Sequence, residues 1–273
     1  MPNSKPYKKL HKESKNKLNR SKEKSNKHYS ITGINPIVTL LENDPTRIFS
    51  ATISDSANKS PRLEHALALI KQHDININII DAELFKNRFT GVTQGISAEV
   101  SVPKARTSNA LQTWLKQELP DNCLLLILDQ IQDPHNLGAI LRTADAAGVD
   151  AVITSDKNTV PLNATVSKVA SGGAESVPMF RVTNLNRAIE LIKDAGIWLV
   201  GTTDHAEQTL YEQKLSGSLA LVMGAEGTGM RRLTEDSCDY LVKLPMAGVV
   251  NSLNVSVATG VCLYEIKRQL NSK

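Results

Sequence analysis

"CLLLILDQIQDPHNLGAILRTADAAG" (residues 123–148) is a short segment apolar at almost every position, then a polar turn, then a run of small and branched residues closed by glycine. A strand with one wet face alternates apolar and polar residues. "CLLLILD" does not, and is expected to be buried on both faces, like strands of a parallel sheet covered by helices. In the run that follows, Asn136 is a candidate helix N-cap, and Gly138, Ala139, Ala144, Ala146 and Ala147 permit close approach of neighbours. Gly148 is a candidate C-terminal stop. Four similar apolar runs follow, "DAVITS" (150–155), "IWLVGT" (197–202), "LALVMG" (219–224) and "YLVKLP" (240–245), and then a long helix from Ser252 to Leu270. Residues 122–273 therefore read as an α/β domain built on a parallel sheet.

Toward the N-terminus, residues 104–121 turn polar and charged between prolines. They read as a linker in which Trp114 and Leu115 mark a short docking helix. Residues 31–103 alternate again: helix "NPIVTLLEND" (35–44), strand "RIFSATIS" (47–54), helix "SPRLEHALALIKQHD" (60–74), strand "ININIID" (75–81), helix "AELFKNRF" (82–89) and strand "GISAEVSV" (95–102). This pattern describes a second, smaller α/β domain. Residues 1–30 hold ten Lys/Arg against Glu13 and Glu23, a local charge of +8, whereas the whole chain carries +4, so the remainder is net negative. With few apolar residues and no periodicity, the tail is expected to be disordered. It reads either as a solubilising extension or as a polycationic arm for phosphates.

The 273 residues are 41% hydrophobic and 4% aromatic, ordinary for an α/β protein, and no window approaches the roughly 20 apolar residues of a membrane span. A cytoplasmic protein is expected. Cys123, Cys238 and Cys262 are isolated from one another and from histidine partners, so they read as buried reduced thiols, with no metal expected.

In open α/β sheets the ligand crevice lies at the carboxyl ends of the strands, and three segments there carry unusual residues. In 129–148, Arg142 places a guanidinium on a helix otherwise built for close packing; it reads either as a surface arginine or as an anion ligand. His135 reads as a loop residue. "LVMGAEGTGM" (221–230) lacks the spacing of a dinucleotide loop and has no acidic residue some 20 positions on; its glycines instead allow close backbone approach around Glu226, itself either a turn residue or part of a cleft. In "LPMAGVVNSLNVSVATG" (244–260), Ser252 is the candidate cap of a helix apolar nearly all round. Asn251, Ser252, Asn254 and Ser256 there either knit backbone turns or face a polar ligand.

The same segments resemble the SpoU/TrmH branch of the SPOUT RNA 2′-O-ribose methyltransferases, through "NLGAI-x-R-x-A" (136–144), "GAEG-x-G" (224–229) and "PM-x-G-x-V-x-SLNVSVA" (245–258). "TGINPIVTLL" and "TQGISAEV" resemble the substrate-binding domain of that branch, and "LNATVSKVASGGAESVP" (162–178) is similar to the type that methylates a guanosine ribose in the peptidyl-transferase region of 23S rRNA. The resemblance implies a C-terminal domain tied in a deep trefoil knot, an exception to unknotted chain topology. It also implies an L30-like N-terminal substrate-binding domain, and a homodimer formed through the knotted domain. It implies S-adenosylmethionine held by Thr202, Met223, Gly224, Leu244, Met246, Ser252 and Leu253, with Arg142 as central catalytic residue aided by Asn136, Glu226 and Asn254. Because a guanidinium stays protonated, Arg142 is better suited to clamp a phosphate and stabilise a developing alkoxide than to act as a base. A relative acting on tRNA or another rRNA site would share these motifs. Outside enzymes, the alternative is a noncatalytic RNA-binding ribosome-assembly factor.

Overall fold

The computed structural model describes residues 28–89, 93–117 and 119–271. The expectation for the basic tail falls almost wholly outside them; its last residues, His28 to Ser30, lie in the first strand. The chain divides into two compact units between Val102 and Pro103.

The first unit is a four-stranded mixed sheet in the order β1-β4-β2-β3, formed by β1 (His28–Thr32), β2 (Ile48–Ser54), β3 (Asn76–Ile80) and β4 (Ile96–Ser101). Only β2 and β3 run parallel. Helices α1 (Ile34–Asn43), α2 (Pro61–Gln72) and α3 (Ala82–Arg88) complete it. Ile37, Leu41, Ile70 and Ile96 are fully buried at its centre, each contributing roughly 1.5–3 kcal/mol of burial free energy. Helix α2 starts where the chain signals it: Ser60 accepts the Leu63 N–H, and Pro61 holds the first helical position. Strand β1 was not expected, because "HYSIT" is too polar to stand out.

The second unit carries a seven-stranded, all-parallel sheet ordered β7-β6-β5-β10-β8-β11-β9. Its strands are β5 (Leu124–Leu128), β6 (Ala151–Ser155), β7 (Met179–Val182), β8 (Trp198–Thr202), β9 (Gln208–Thr209), β10 (Leu219–Met223) and β11 (Tyr240–Lys243). The five apolar runs are strands, and the continuous apolarity of the central ones has the expected cause. Leu124, Leu126 and Leu128 enter one core with α5 (Pro134–Ala146), α6 (Ala164–Ala170) and α10 (Val255–Leu270). Cys123, Leu125 and Ile127 enter the other core, against α4 (Ser108–Leu115) and α8 (Leu185–Asp194). Two short helices, α7 (Gly173–Ser176) and α9 (Arg232–Glu235), follow α6 and precede β11. The segment read as a linker carries α4, whose Leu111 and Leu115 are buried in that second core and whose Trp114 packs, tilted, against Phe180 with ring centroids 5.8 Å apart.

Both helix starts near the candidate residues lie elsewhere than expected. Asp133, not Asn136, caps α5, accepting the His135 N–H, with Pro134 in the first turn; His135 is therefore helical rather than a loop residue. Asn254, not Ser252, caps α10 by accepting the Ser256 N–H. The start of α10 is also less buried than its composition suggested. Val255 and Thr259 face the core, but Val257 is 53% exposed, and Asn251, Ser252 and Asn254 are exposed. Cys123 and Cys262 are buried and Cys238 half-buried, all three free; burial pushes each thiol up to about 12. Among the described residues no helix is long and apolar enough to cross a membrane.

Candidate active site

Strands β5, β10, β8 and β11 lie side by side and parallel, so their carboxyl ends open on one edge of the sheet. From that edge run three segments: 129–133 into α5, 224–231, and 244–254 into α10. Asn136, in the first turn of α5, meets Glu226 and Asn254 of the other two segments at a common point. The Asn254 amide nitrogen donates to Asn136 Oδ1 at 3.0 Å and to Glu226 Oε2 at 3.4 Å. Its own Oδ1 accepts the Ser256 N–H at 3.0 Å and the Ser256 hydroxyl at 2.6 Å. All four hydrogen-bonding capacities of one carboxamide are thus used, and residues 118 and 28 positions apart in the chain are tied together. Asn136 keeps its amide donors and Glu226 one carboxylate oxygen for another partner.

Arg142 is on the helix that carries Asn136, six residues on, or about 9 Å of helical rise. Its side chain is exposed and makes no hydrogen bond or ion pair among the described residues, and it is not joined to the Asn136–Glu226–Asn254 cluster. Its backbone is closely backed. A Cβ at Gly173, in α7, would stand 2.5 Å from the Leu141 carbonyl oxygen and 3.0 Å from the Arg142 Cα, so glycine lets α7 press against α5 there.

Gly224 is the corresponding device in the 224–231 loop. A Cβ on it would stand 2.2 Å from both Gly229 C and Met230 N. The loop folds over it through paired Ala225 and Gly229 backbone hydrogen bonds of 3.0 and 2.9 Å. Sequence reasoning missed what anchors the far end. Asp129, fully buried at the end of β5, accepts from Arg231 N (3.0 Å), Arg231 Nε (2.9 Å) and Thr234 Oγ1 (2.9 Å), with Arg231 Nη2 at 2.8 Å. A buried carboxylate left without such donors costs several kcal/mol, so this cluster holds the loop bearing Glu226 to the sheet. Its partners lie more than 100 residues from Asp129, and no local pattern signals them.

The residues expected at a cofactor divide into two groups. Thr202 ends β8, and its hydroxyl lies 3.3 Å from the Val222 carbonyl and 3.4 Å from the sulfur of Met223, which ends β10 beside it. Gly224 follows directly, and Leu244, half-buried, packs on the core after β11. Leu253 is half-buried, whereas Met246 and Ser252 are exposed on the intervening loop and make no hydrogen bond to the others. Along that loop, from Met246 to Leu253, no backbone N–H donates to another described residue. At the end of β8, exposed His205 meets Thr203, Asp204 and Glu235; the hydrogen bond to Glu235, then that to Asp204, holds its pKa above the ordinary 6.5. Among the described residues no group of three or more His, Cys, Asp or Glu could hold a metal ion.

Polar side chains from two strand-end loops and the first turn of α5, meeting at the carboxyl edge of a parallel sheet, define a ligand-binding α/β domain. Residues 123–264 match the SpoU rRNA Methylase family and residues 30–105 match the RNA 2′-O ribose methyltransferase substrate-binding family; the chain belongs to the SpoU family. It is 47% identical to the 23S rRNA (guanosine-2′-O-)-methyltransferase RlmB of Pseudomonas putida, over 89% of this chain and 97% of that protein. To the RlmB protein of Pectobacterium atrosepticum it is 49% identical, over 88% and 97%. In fold it is similar to the AdoMet-bound rRNA methyltransferase of Sinorhizobium meliloti, with a TM-score of 0.70 and 23% identity over 90% of this chain and 89% of that one.

Proposed function

We propose that this chain transfers a methyl group from S-adenosylmethionine to the ribose 2′-oxygen of a guanosine in 23S rRNA. The observation that carries this reading is the hydrogen-bonded meeting of Asn136, Glu226 and Asn254 at the carboxyl edge of the sheet, with unpaired Arg142 on the same helix as Asn136. The RlmB relatives supply the substrate by their names, at 47–49% identity.

The residues fit the cofactor. Met223, Leu244 and Leu253 give an apolar wall, Thr202 a hydroxyl, and Met246 to Leu253 a row of backbone N–H groups that donate to no other described residue. Gly224, Met246 and Ser252 complete the set that would hold it. S-adenosylmethionine supplies an electrophilic methyl group on a sulfonium sulfur. The chain's own task is to place the 2′-oxygen in line with that methyl carbon and to steady the charge that grows on the oxygen. Arg142, always protonated, clamps the phosphate beside the target ribose and stabilises the alkoxide. Asn136 and Glu226, fixed by Asn254, orient the nucleotide, and the 2′-OH proton leaves to phosphate or water. The order β5-β10-β8-β11, with α10 returning to pack on α5 and β10, is compatible with the expected knot. Exposed Val257 and Tyr264 on α10 supply a face for a second copy.

Ribose-methylation mapping of total RNA from cells with and without the gene tests the reading. Loss of one 2′-O-methylguanosine in 23S rRNA, restored by the wild type but not by Arg142→Ala, is expected. A lost mark in tRNA instead overturns the substrate, and an unchanged map overturns the activity.

A further inference from the structure

A cavity of about 390 Å³ opens in the first unit, between the turn after β2, the start of α3 and the loop before β4. That volume falls within the roughly 300–1,000 Å³ of small-molecule sites. Ile34, Ala57 and Ala82 line it as an apolar wall over buried Phe85, which is 2% exposed and packs against Phe89 at 4.8 Å. The lining also carries polar side chains, some of them with donors or acceptors to spare. The Asn58 side chain and the Thr93 hydroxyl have no hydrogen bond among the described residues, and Gln94 accepts the Ile34 N–H at 2.9 Å through Oε1, which leaves its NH2 as a fixed donor. The loop is set in place: Gly95, at φ +78°, lies so near Ala57 that a Cβ would approach its Cβ to 2.7 Å.

We propose that this cavity receives one unpaired nucleobase of the RNA substrate, a proposal that rests on the rRNA reading above. A flat heterocycle needs an apolar face and in-plane donors and acceptors, and the apolar wall with Asn58, Thr93 and Gln94 offers that combination. The charge of the unit argues against a site for phosphate alone. Residues 28–102 hold six Lys/Arg against eight Asp/Glu, a net −2, and Lys86 is the one charged side chain in the lining. It suits the single phosphate of the captured nucleotide. The unit thus chooses RNA by an extruded base, while the basic tail and Arg142 engage the backbone.

The test uses the full chain, an in vitro 23S rRNA transcript, and the variants Asn58→Ala and Ser56→Trp, the second of which fills the cavity from an exposed turn. Both are expected to weaken transcript binding by about tenfold, the scale of one stacked and hydrogen-bonded base. KM for RNA rises with it, whereas kcat at saturating RNA and S-adenosylmethionine affinity stay near wild type. Ultraviolet crosslinks from bases to peptides spanning residues 54–60 and 93–95 appear in the wild type and disappear in Ser56→Trp. RNA affinity within about twofold of wild type in both variants, or crosslinks that survive Ser56→Trp, overturns the pocket. Crosslinks at these peptides without methyl transfer by the wild type uphold the pocket and overturn the methyltransferase reading.

Discussion

Asn254 has two duties that a single atom exchange separates. Its Oδ1 caps α10, and its Nδ2 ties Asn136 to Glu226. Asn254→Asp keeps the capping oxygen, since aspartate and asparagine are about equal at the N-cap and a negative charge suits a helix N-terminus. It loses both donors, and sets a carboxylate where the amide lay 3.4 Å from Glu226 Oε2. At that separation two charges repel by about 1 kcal/mol in water-like dielectric, and the two lost hydrogen bonds are worth roughly 0.5–1.5 kcal/mol each. The local penalty is therefore on the order of 2–4 kcal/mol, enough to part the loops. A misplacement of about 1 Å in such a site costs on the order of a hundredfold. Asn254→Asp is expected to lower Tm by several °C through loss of the tie and to lose about a hundredfold in kcat/KM. Asn254→Ala loses the same tie and the cap as well, so its stability falls by about 1 kcal/mol further. Transfer of labelled methyl to a 23S transcript, with a thermal melt of each variant, decides the matter. Asn254→Asp retaining activity within about threefold of wild type would refute a functional role for the tie; Asn254→Asp melting as low as Asn254→Ala would refute the division of duties.

Gly224→Ala must displace backbone, because its Cβ would stand 2.2 Å from Gly229 C and Met230 N. A cost of about 1–3 kcal/mol and a loss of S-adenosylmethionine affinity are expected, by calorimetry and thermal melting; wild-type affinity would show that the loop does not touch the cofactor. His205, with its pKa raised by Glu235, favours the folded state most fully below pH 6.5, and that contribution fades as pH rises through the raised folded value. An NMR titration should place the imidazole above 6.5 and Glu235→Gln should bring it down, while stability–pH curves of wild type and His205→Gln diverge across that window. Parallel curves would remove His205 from the linkage.

What could be read from the chain, and what could not, follows from the range of each interaction. The central strands stand out because burial on both faces leaves no polar position in Leu124–Leu128 or Leu219–Met223. Strands β7 and β9, four and two residues long, are too short to show a pattern. The helix starts were misplaced for a local reason: "DPHN" and "NSLN" each offer more than one capping residue. Pro134 in the first turn favours Asp133 in the first, while nothing within "NSLN" separates Ser252 from Asn254. Arg142 was visible as an anomaly because a guanidinium among alanines and glycine needs a reason. Asp129 was not, because its partners come from another strand-end loop 102 and 105 residues away, brought near only by the sheet. The polar residues at the head of α10 are explained by the same long-range geometry. They are not buried groups seeking turns; Asn254 stands at an exposed edge where one side chain can both cap its own helix and lock two distant loops. An apolar residue there could do neither, and a charged one only the first.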